Sequence, residues 1–342
     1  MILQQLSEAI GVSGDEGAVR AVIRPAIADH VDEMWVDPLG NLLAVKRGTG
    51  AVDLRVMLAA HMDEVGMMIT QIESDGTLRF AQVGGMDDRI LLGKTVLVGR
   101  HQLPGVIGGK PVHLLEGNER DKVIRTDSLR IDIGARDKES AAAKVKIGDR
   151  ATFATEFVDL GPTLMGKAFD DRAGCAVIVE LLQGDRFPVD LLAAFTVQEE
   201  VGLRGARVAG YRLEPDVAFA LEGTICDDLP KEDDVSPTTE LGRGPALTTM
   251  DRATIADPRL VSFLVRTAEA HAIPYQFRRT VGGGTDAGAI HLTRAGVPSA
   301  GISVPCRYIH APAAVCSKSD LENTVRLVRA ALQALTPAVL ER

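Results

Sequence analysis

The sequence predicts an α/β fold in which a mixed sheet is covered by helices on both faces and interrupted by a small β-rich insertion. Three observations predict it. Outside residues 66–164, short apolar runs alternate with helical patterns, as strands and their covering helices do. Within residues 66–164 the runs MMITQI, LRFAQV, TVLVG, GVIGG, LRIDI and ATFATEF follow one another across Gly, Asp and Pro turns, and helical periodicity is nearly absent until SAAAKV. That is the pattern of a chain of short strands. Finally, 342 residues exceed the roughly 100–200 of one usual domain, so residues 1–65 and 165–342 read as one discontinuous α/β domain and 66–164 as a second.

Taken in order, residues 4–10 and 16–30 read as helices. The second places Val19, Val22, Ile23 and Ile27 on one face, and Pro25 kinks or ends it. VDEMWVD and LLAVKRG flank the turn residues Pro38 to Asn41 and read as a hairpin. LRVMLAA, residues 54–60, is apolar almost throughout and suits a strand buried on both faces. Beyond Met165 come a helix at 171–183 stopped by Gly184, the strand LLAAFTV, a helix at 204–209 and the strand DVAFALEG. Helices at 258–271 and 285–295, the strand VPSAGISVP and a closing helix at 319–335 complete the chain.

Composition narrows the function classes. The hydrophobic content of 46% and charged content of 25% belong to ordinary globular proteins. A net charge of −9 without any Lys/Arg cluster argues against nucleic acid as a partner, since phosphate binding needs a basic patch. Cys175, Cys226, Cys306 and Cys316 form no CxxC pair and read as reduced thiols. No apolar run reaches the roughly 18 residues of a membrane span, and the N-terminal segment lacks the basic and apolar regions of a signal peptide. The expected location is the cytoplasm, with no membrane partner.

The metal-type side chains fall in one pattern. His61 and Asp63 lie just past LRVMLAA, Asp170 and Asp171 between GKAF and a helix, Glu199 and Glu200 directly after LLAAFTVQ, Glu222 at the end of DVAFAL, and His310 after the strand ending in Val304-Pro305. In open α/β sheets the C-terminal strand edge is where ligands bind. Clustered carboxylates repel, and a pair of divalent cations removes the repulsion. Each piece has an ordinary alternative: His61 as a core histidine, Asp170-Asp171 as a helix N-terminus, Glu199-Glu200 as a solvated loop. VGGGTDAG matches neither phosphate-loop pattern and reads as a tight loop serving the site. No cysteine or serine sits in a nucleophile motif.

Together these segments resemble the M42 family of metallo-aminopeptidases over almost the whole chain. The resemblance runs from GVSGDEG and DPLGNLLAVKRG through AAHMDEVGMMI, GVIGGKPVHL, GKAFDDRAG and TVQEEVGLRGA to GGGTDAGAIHLTRAGVP and ISVPCRYIHAP. It implies a mixed-sheet α/β/α catalytic domain with an inserted PDZ-like dimerisation domain. It implies His61, Asp170 and Glu222 as ligands of one metal and Asp170, Glu200 and His310 as ligands of another, with Asp170 bridging. Asp63 would orient His61, and Glu199 would act as general acid/base. Zinc or cobalt, peptide substrates trimmed from a free N-terminus, and a homo-oligomer with the tetrahedral dodecamer as one known form are further implications. Where this chain has Glu222 the family commonly has Asp, which keeps the charge and adds a methylene. His113 belongs to the insertion and is left out of the metal site. Two alternatives stand beside this reading: an endoglucanase-type glycosidase, disfavoured by one Trp and three Tyr, and a non-catalytic metal-binding assembly. Arg243 and Arg279 are candidate acid-recognising groups.

Overall fold

The apolar run at residues 54–60 becomes the central strand of the molecule. The computed structural model describes residues 1–229 and 238–341. Helices α1 (Ile2–Glu8) and α2 (Gly17–Ile27) precede the hairpin β1 (Glu33–Val36) and β2 (Leu42–Lys46) and strand β3 (Arg55–His61). Strands β4 (Gly66–Ile72), β5 (Leu78–Val83), β6 (Thr95–Val98), β7 (Leu103–Gly108) and β8 (Arg130–Asp132) follow, then helix α3 (Lys138–Ala142) and strand β9 (Arg150–Phe153). The chain continues through β10 (Val158–Asp159), β11 (Thr163–Gly166), α4 (Phe169–Gln183), β12 (Asp190–Thr196), α5 (Arg204–Leu213) and β13 (Val217–Cys226). It closes with β14 (Ala246–Thr248), α6 (Pro258–Ala270), β15 (Gln276–Phe277), α7 (Ala287–Ile290), β16 (Ser299–Arg307), β17 (Ala314–Ser317) and α8 (Lys318–Ala334).

One large mixed sheet runs in the order β1-β2-β12-β3-β13-β16-β17-β11-β10, with β14 and β15 attached beside β16. Its middle, β12, β3, β13 and β16, is parallel, and its flanks are antiparallel. Along β3, Val56, Leu58 and Ala60 join the core under α1, α2, α4, α6 and α8, while Met57 and Ala59 join the core under α5 and α7. The alternation is the period of two of a strand covered on both faces. Each large side chain buried this way contributes about 1.5–3 kcal/mol.

Strands β4 to β9 close on themselves in the order β4-β5-β8-β7-β6-β9, around a separate core that includes Met67, Ile69, Val96, Ile107, Ile131 and Phe153. Helix α3 is capped by Asp137, whose carboxylate accepts the Ser140 amide while the Ser140 hydroxyl accepts the Asp137 amide.

Three local expectations are corrected. The β-rich unit ends with β9 rather than at residue 164, because β10 and β11 pair with β17 and so belong to the large sheet. Strand β13 does not stop at Gly223 but continues to Cys226, since β16 stays paired to it. The helix expected at 285–295 is only α7, because the Thr293 hydroxyl takes the Ile290 carbonyl and Gly296 turns the chain with a left-handed backbone.

Candidate metal centre and active site

His61 is the last residue of β3, which lies between β12 and β13. The β3–β13 pairing runs to Ala59 beside Ala220, and just beyond it Glu222 comes up next to His61. Glu199 and Glu200 leave the end of β12, and His310 sits in the turn between β16 and β17. Asp170 and Asp171 stand at the start of α4 with non-helical backbones, Asp170 at φ −86°, ψ 103° and Asp171 at φ −125°, ψ 43°. Gly223 makes room for them: a Cβ there would lie 2.7 Å from the Asp170 Cα. Left-handed backbones at Ala168, Gln198 and His310 cost about 1–2 kcal/mol each, and all flank this cluster.

The side chains converge around two imidazoles. His61 Nε2 lies 3.3 Å from Asp170 Oδ1, 3.5 Å from Glu222 Oε2 and 3.8 Å from Glu199 Oε2. His310 Nε2 lies 3.6 Å from Asp170 Oδ2 and 3.4 Å from Glu200 Oε1. Asp170 therefore turns one oxygen to each ring. Both rings are held from behind by main-chain carbonyls: His61 Nδ1 donates to Asp63 O at 3.0 Å, and His310 Nδ1 donates to Gly85 O at 2.8 Å. A carbonyl only accepts, so Nδ1 carries the proton in each ring and a neutral ring turns the Nε2 lone pair toward carboxylates. That arrangement repels itself unless a cation or a proton stands between, and it is how metal-bound imidazoles are set.

Asp63 meets the His61 ring through its carbonyl and, more loosely, through its carboxylate. Its carboxylate stands 3.6 Å from His61 Nδ1, while the ring is gripped by its carbonyl. The carboxylate also accepts the amides of Glu199 at 2.9 Å and Glu200 at 3.2 Å and the Ser13 hydroxyl at 2.6 Å. It thus fixes the turn that presents both glutamates.

Burial dominates the electrostatics. It pushes Glu199 and Glu222 well above the carboxylate range, Glu199 being repelled by Asp286, Glu200 and Asp170, and Glu222 by Asp171, Glu199 and Asp286. Glu200 is raised to about 7, again by burial first and Asp170 next. Asp170 goes the other way: burial is outweighed by the two imidazoles, which hold it below its usual value. Burial opposes the charge on His310, yet Asp170 and Glu200 lift it to about 9. Acids raised in this way are short of positive charge, and a divalent cation supplies it.

Three sets of ligand atoms lie within 4.8 Å of one another: Asp170, Glu200 and His310; His61, Asp171 and Glu222; and His61, Glu199 and Glu200. Asp171 is already committed, since its two oxygens accept the amides of His61 at 3.0 Å and Gly174 at 2.9 Å. Glu222 reaches the cluster despite its added methylene, and its Oε1 accepts the Asp286 amide at 3.0 Å. The residues present fit divalent ions of mixed nitrogen and oxygen preference.

The comparisons with known proteins bear on what this centre belongs to. The profile of the M42 glutamyl aminopeptidase family matches residues 40–327. The chain belongs to the M42 peptidase family. Lysyl aminopeptidase of Pyrococcus furiosus is 33% identical over 98% of this chain and 97% of its own, and glutamyl aminopeptidase of Lactococcus lactis is 34% identical over 97% and 95%. The TET1 peptidase of Pyrococcus horikoshii, which can assemble into a tetrahedron or a large octahedral shell, superimposes with a TM-score of 0.87 at 36% identity, over 98% of this chain and 99% of that one. This M42 chain is accordingly a peptidase.

Every residue assigned from sequence to the M42 centre lies in this cluster. His113 does not; it is exposed in the turn Val112–Leu114. Arg243 and Arg279 line a separate pocket with Tyr275 and Gln276. The sequence reading missed Asp286, which is buried, accepts the Thr196 hydroxyl and is raised to about 6 by burial. Its place in GGGTDAG, a loop already read as serving the site, was the available signal. Gly85 offered none.

Proposed function

We propose that this M42 peptidase is a two-metal aminopeptidase that removes the N-terminal residue of peptides. One observation carries the reading: Asp170 directs its two oxygens at two different imidazoles, each with its Nδ1 proton tied to a carbonyl. His61, Asp170 and Glu222 would hold one ion and Asp170, Glu200 and His310 the other, zinc or cobalt by donor chemistry. When bound, the ions acidify water and polarise the scissile carbonyl. Glu199 serves as the general base that takes the proton of the attacking water and returns it to the departing amine. Its burial suits this, because a carboxyl raised above its ordinary value holds an abstracted proton more readily. The acidic wall also favours a free α-ammonium group, which makes the enzyme an exopeptidase.

Tyr308 is the only Phe, Trp or Tyr lining this cleft of about 700 Å³ among the described residues, so the glycosidase alternative lacks a sugar platform. We read residues 1–65 and those beyond the barrel as the catalytic domain, and the β4–β9 barrel with α3 as the PDZ-like dimerisation module. The assembly is then a homo-oligomer, with the tetrahedral dodecamer as the form to look for. No helix among the described residues is long and apolar enough to cross a membrane, and the cytoplasm suits a peptidase that needs no disulfides.

The test strips the protein with chelator, refills it with zinc or cobalt, and follows release of amino acids from free and N-acetylated peptides. Metal-dependent trimming of free N-termini alone is expected. No trimming under any metal, with cellulose-type substrates cleaved instead, sinks the reading.

A further inference from the structure

The same cleft is also lined by Arg252 and Arg278. The chain holds 47 Asp and Glu against 38 Lys and Arg, so acidic partners are plentiful, and Arg259, Arg294 and Arg307 each have one. Neither Arg252 nor Arg278 forms an ion pair within 4.0 Å among the described residues. Arg278 is only 8% exposed; one terminal nitrogen donates to the Gly282 carbonyl, and its buried Nε meets no acceptor. Arg172 also leaves Nε unmatched, but its guanidinium meets Glu64 and the carbonyls of Leu6 and Ala9 inside the closed core.

Two loops bring the arginines to one wall. The Arg278 amide donates to Leu247 O at 3.0 Å, and the Arg252 amide donates to Gly283 O at 3.0 Å, joining residues 251–254 to the glycine loop beyond Arg278. A buried guanidinium with a spare donor is costly to leave unpaired, and its planar fork matches a carboxylate. From these observations we infer that Arg252 and Arg278 form a carboxylate-binding subsite, and that the preferred substrates are peptides carrying a carboxylate within reach of the cleft. Two groups offer that chemistry: an acidic side chain on the N-terminal residue, or the C-terminal carboxylate of a very short peptide. This rests on the aminopeptidase reading. Family membership does not settle it, since the relatives include both a lysyl and a glutamyl enzyme.

The experiment compares kcat/KM for Glu-Ala-Ala, Gln-Ala-Ala and Leu-Ala-Ala, each as free acid and as amide, in wild type, Arg278→Met and Arg252→Met. Glutarate and glutaramide are titrated calorimetrically onto chelator-stripped protein in parallel. Loss of a charge-assisted contact predicts a drop of about 10–100-fold. A drop for Glu but not Gln peptides assigns the side chain; a drop for free acids but not amides assigns the C-terminus. Glutarate should bind more tightly than glutaramide, and the variants should abolish the difference. Equal effects on all peptides, or none, with glutarate no better than glutaramide, overturn the subsite. Leu-Ala-Ala amide reports on folding and on the aminopeptidase reading alone. If wild type trims nothing, that reading fails while the titration still decides the subsite. Exposed Arg252 supplies the second variant should Arg278→Met fail to fold.

Discussion

Asp63 and Glu64 are consecutive, both buried, and face opposite kinds of charge cluster. Glu64 accepts Lys167 Nζ at 2.7 and 2.9 Å, the Thr152 hydroxyl at 2.9 Å and the Gly11 amide at 3.1 Å, with Arg172 Nη2 at 3.4 Å. Burial would raise its pKa, but Lys167 and Arg172 outweigh burial and hold it down. Burial would raise Asp63 too, but His61, the Ser13 hydroxyl and the Glu199 amide outweigh it; it stands in the cluster of Asp170, Asp171, Glu199, Glu200, Glu222 and Asp286, whose ion-pair partners within 4.0 Å among the described residues are two imidazoles. The first cluster neutralises itself with the chain's own side chains and ties α1, α4 and β9 together. The second is left short of positive charge, and that shortage is what separates a ligand-binding centre from a structural ion pair.

The comparison breaks if the two clusters respond alike to mutation. Glu199→Gln should lower kcat by about 10²–10⁴-fold while metal content, measured by atomic emission, stays that of the wild type. Retained activity in that variant removes Glu199 from the chemistry. Glu64→Ala leaves Lys167 and Arg172 buried without their acid and should cost about 3–5 kcal/mol of stability, read from denaturant midpoints, with little change in kcat of the folded fraction. A loss of turnover without a loss of stability would place Glu64 in the wrong cluster.

A smaller effect lies in pH. In stripped protein Glu200 is raised from 4.5 to about 7 and Asp286 from 3.8 to about 6, burial being the main cause in both. A raised carboxyl stabilises the fold at low pH, and that contribution is lost as pH climbs through these windows. Glu64, held below its ordinary value, contributes above pH 4.5 and loses its contribution as pH falls. Thermal midpoints of the stripped protein should therefore drop by a few °C between about pH 5 and 7.5, at about 2–4 °C per kcal/mol. Added zinc should raise the midpoint more at pH 7.5 than at pH 5. A midpoint that rises over this range, with zinc equally effective at both ends, would show that the carboxylates are not the group in deficit.

Much of this was legible in the chain because strands announce themselves and the residues in question stand at their ends. LRVMLAA, LLAAFTV and DVAFAL placed His61, Glu199 and Glu222 on one edge, and the motifs added Asp170 and His310. What stayed hidden depends on loops and registers. Asp286 is held at the centre by its amide on Glu222 and the Thr196 hydroxyl on its carboxylate, contacts between distant segments, and the backbone pairing that carries β13 past Gly223 has no signature in its apolar pattern. That Asp63 serves the ring with its carbonyl and the next turn with its carboxylate depends on local backbone geometry that the sequence does not spell out. The end of the β-rich unit was misplaced because β10 and β11 have the same composition as barrel strands and differ only in their partner.

The Gly85 carbonyl that holds His310 lies just past β5, a strand of the barrel and not of the large sheet. One ring of the centre is thus steered by the neighbouring body, and Glu200 packs against Gly84 beside it. The contact between the two bodies is also the mount of an imidazole, so the posture of the barrel is transmitted to the aim of a nitrogen lone pair.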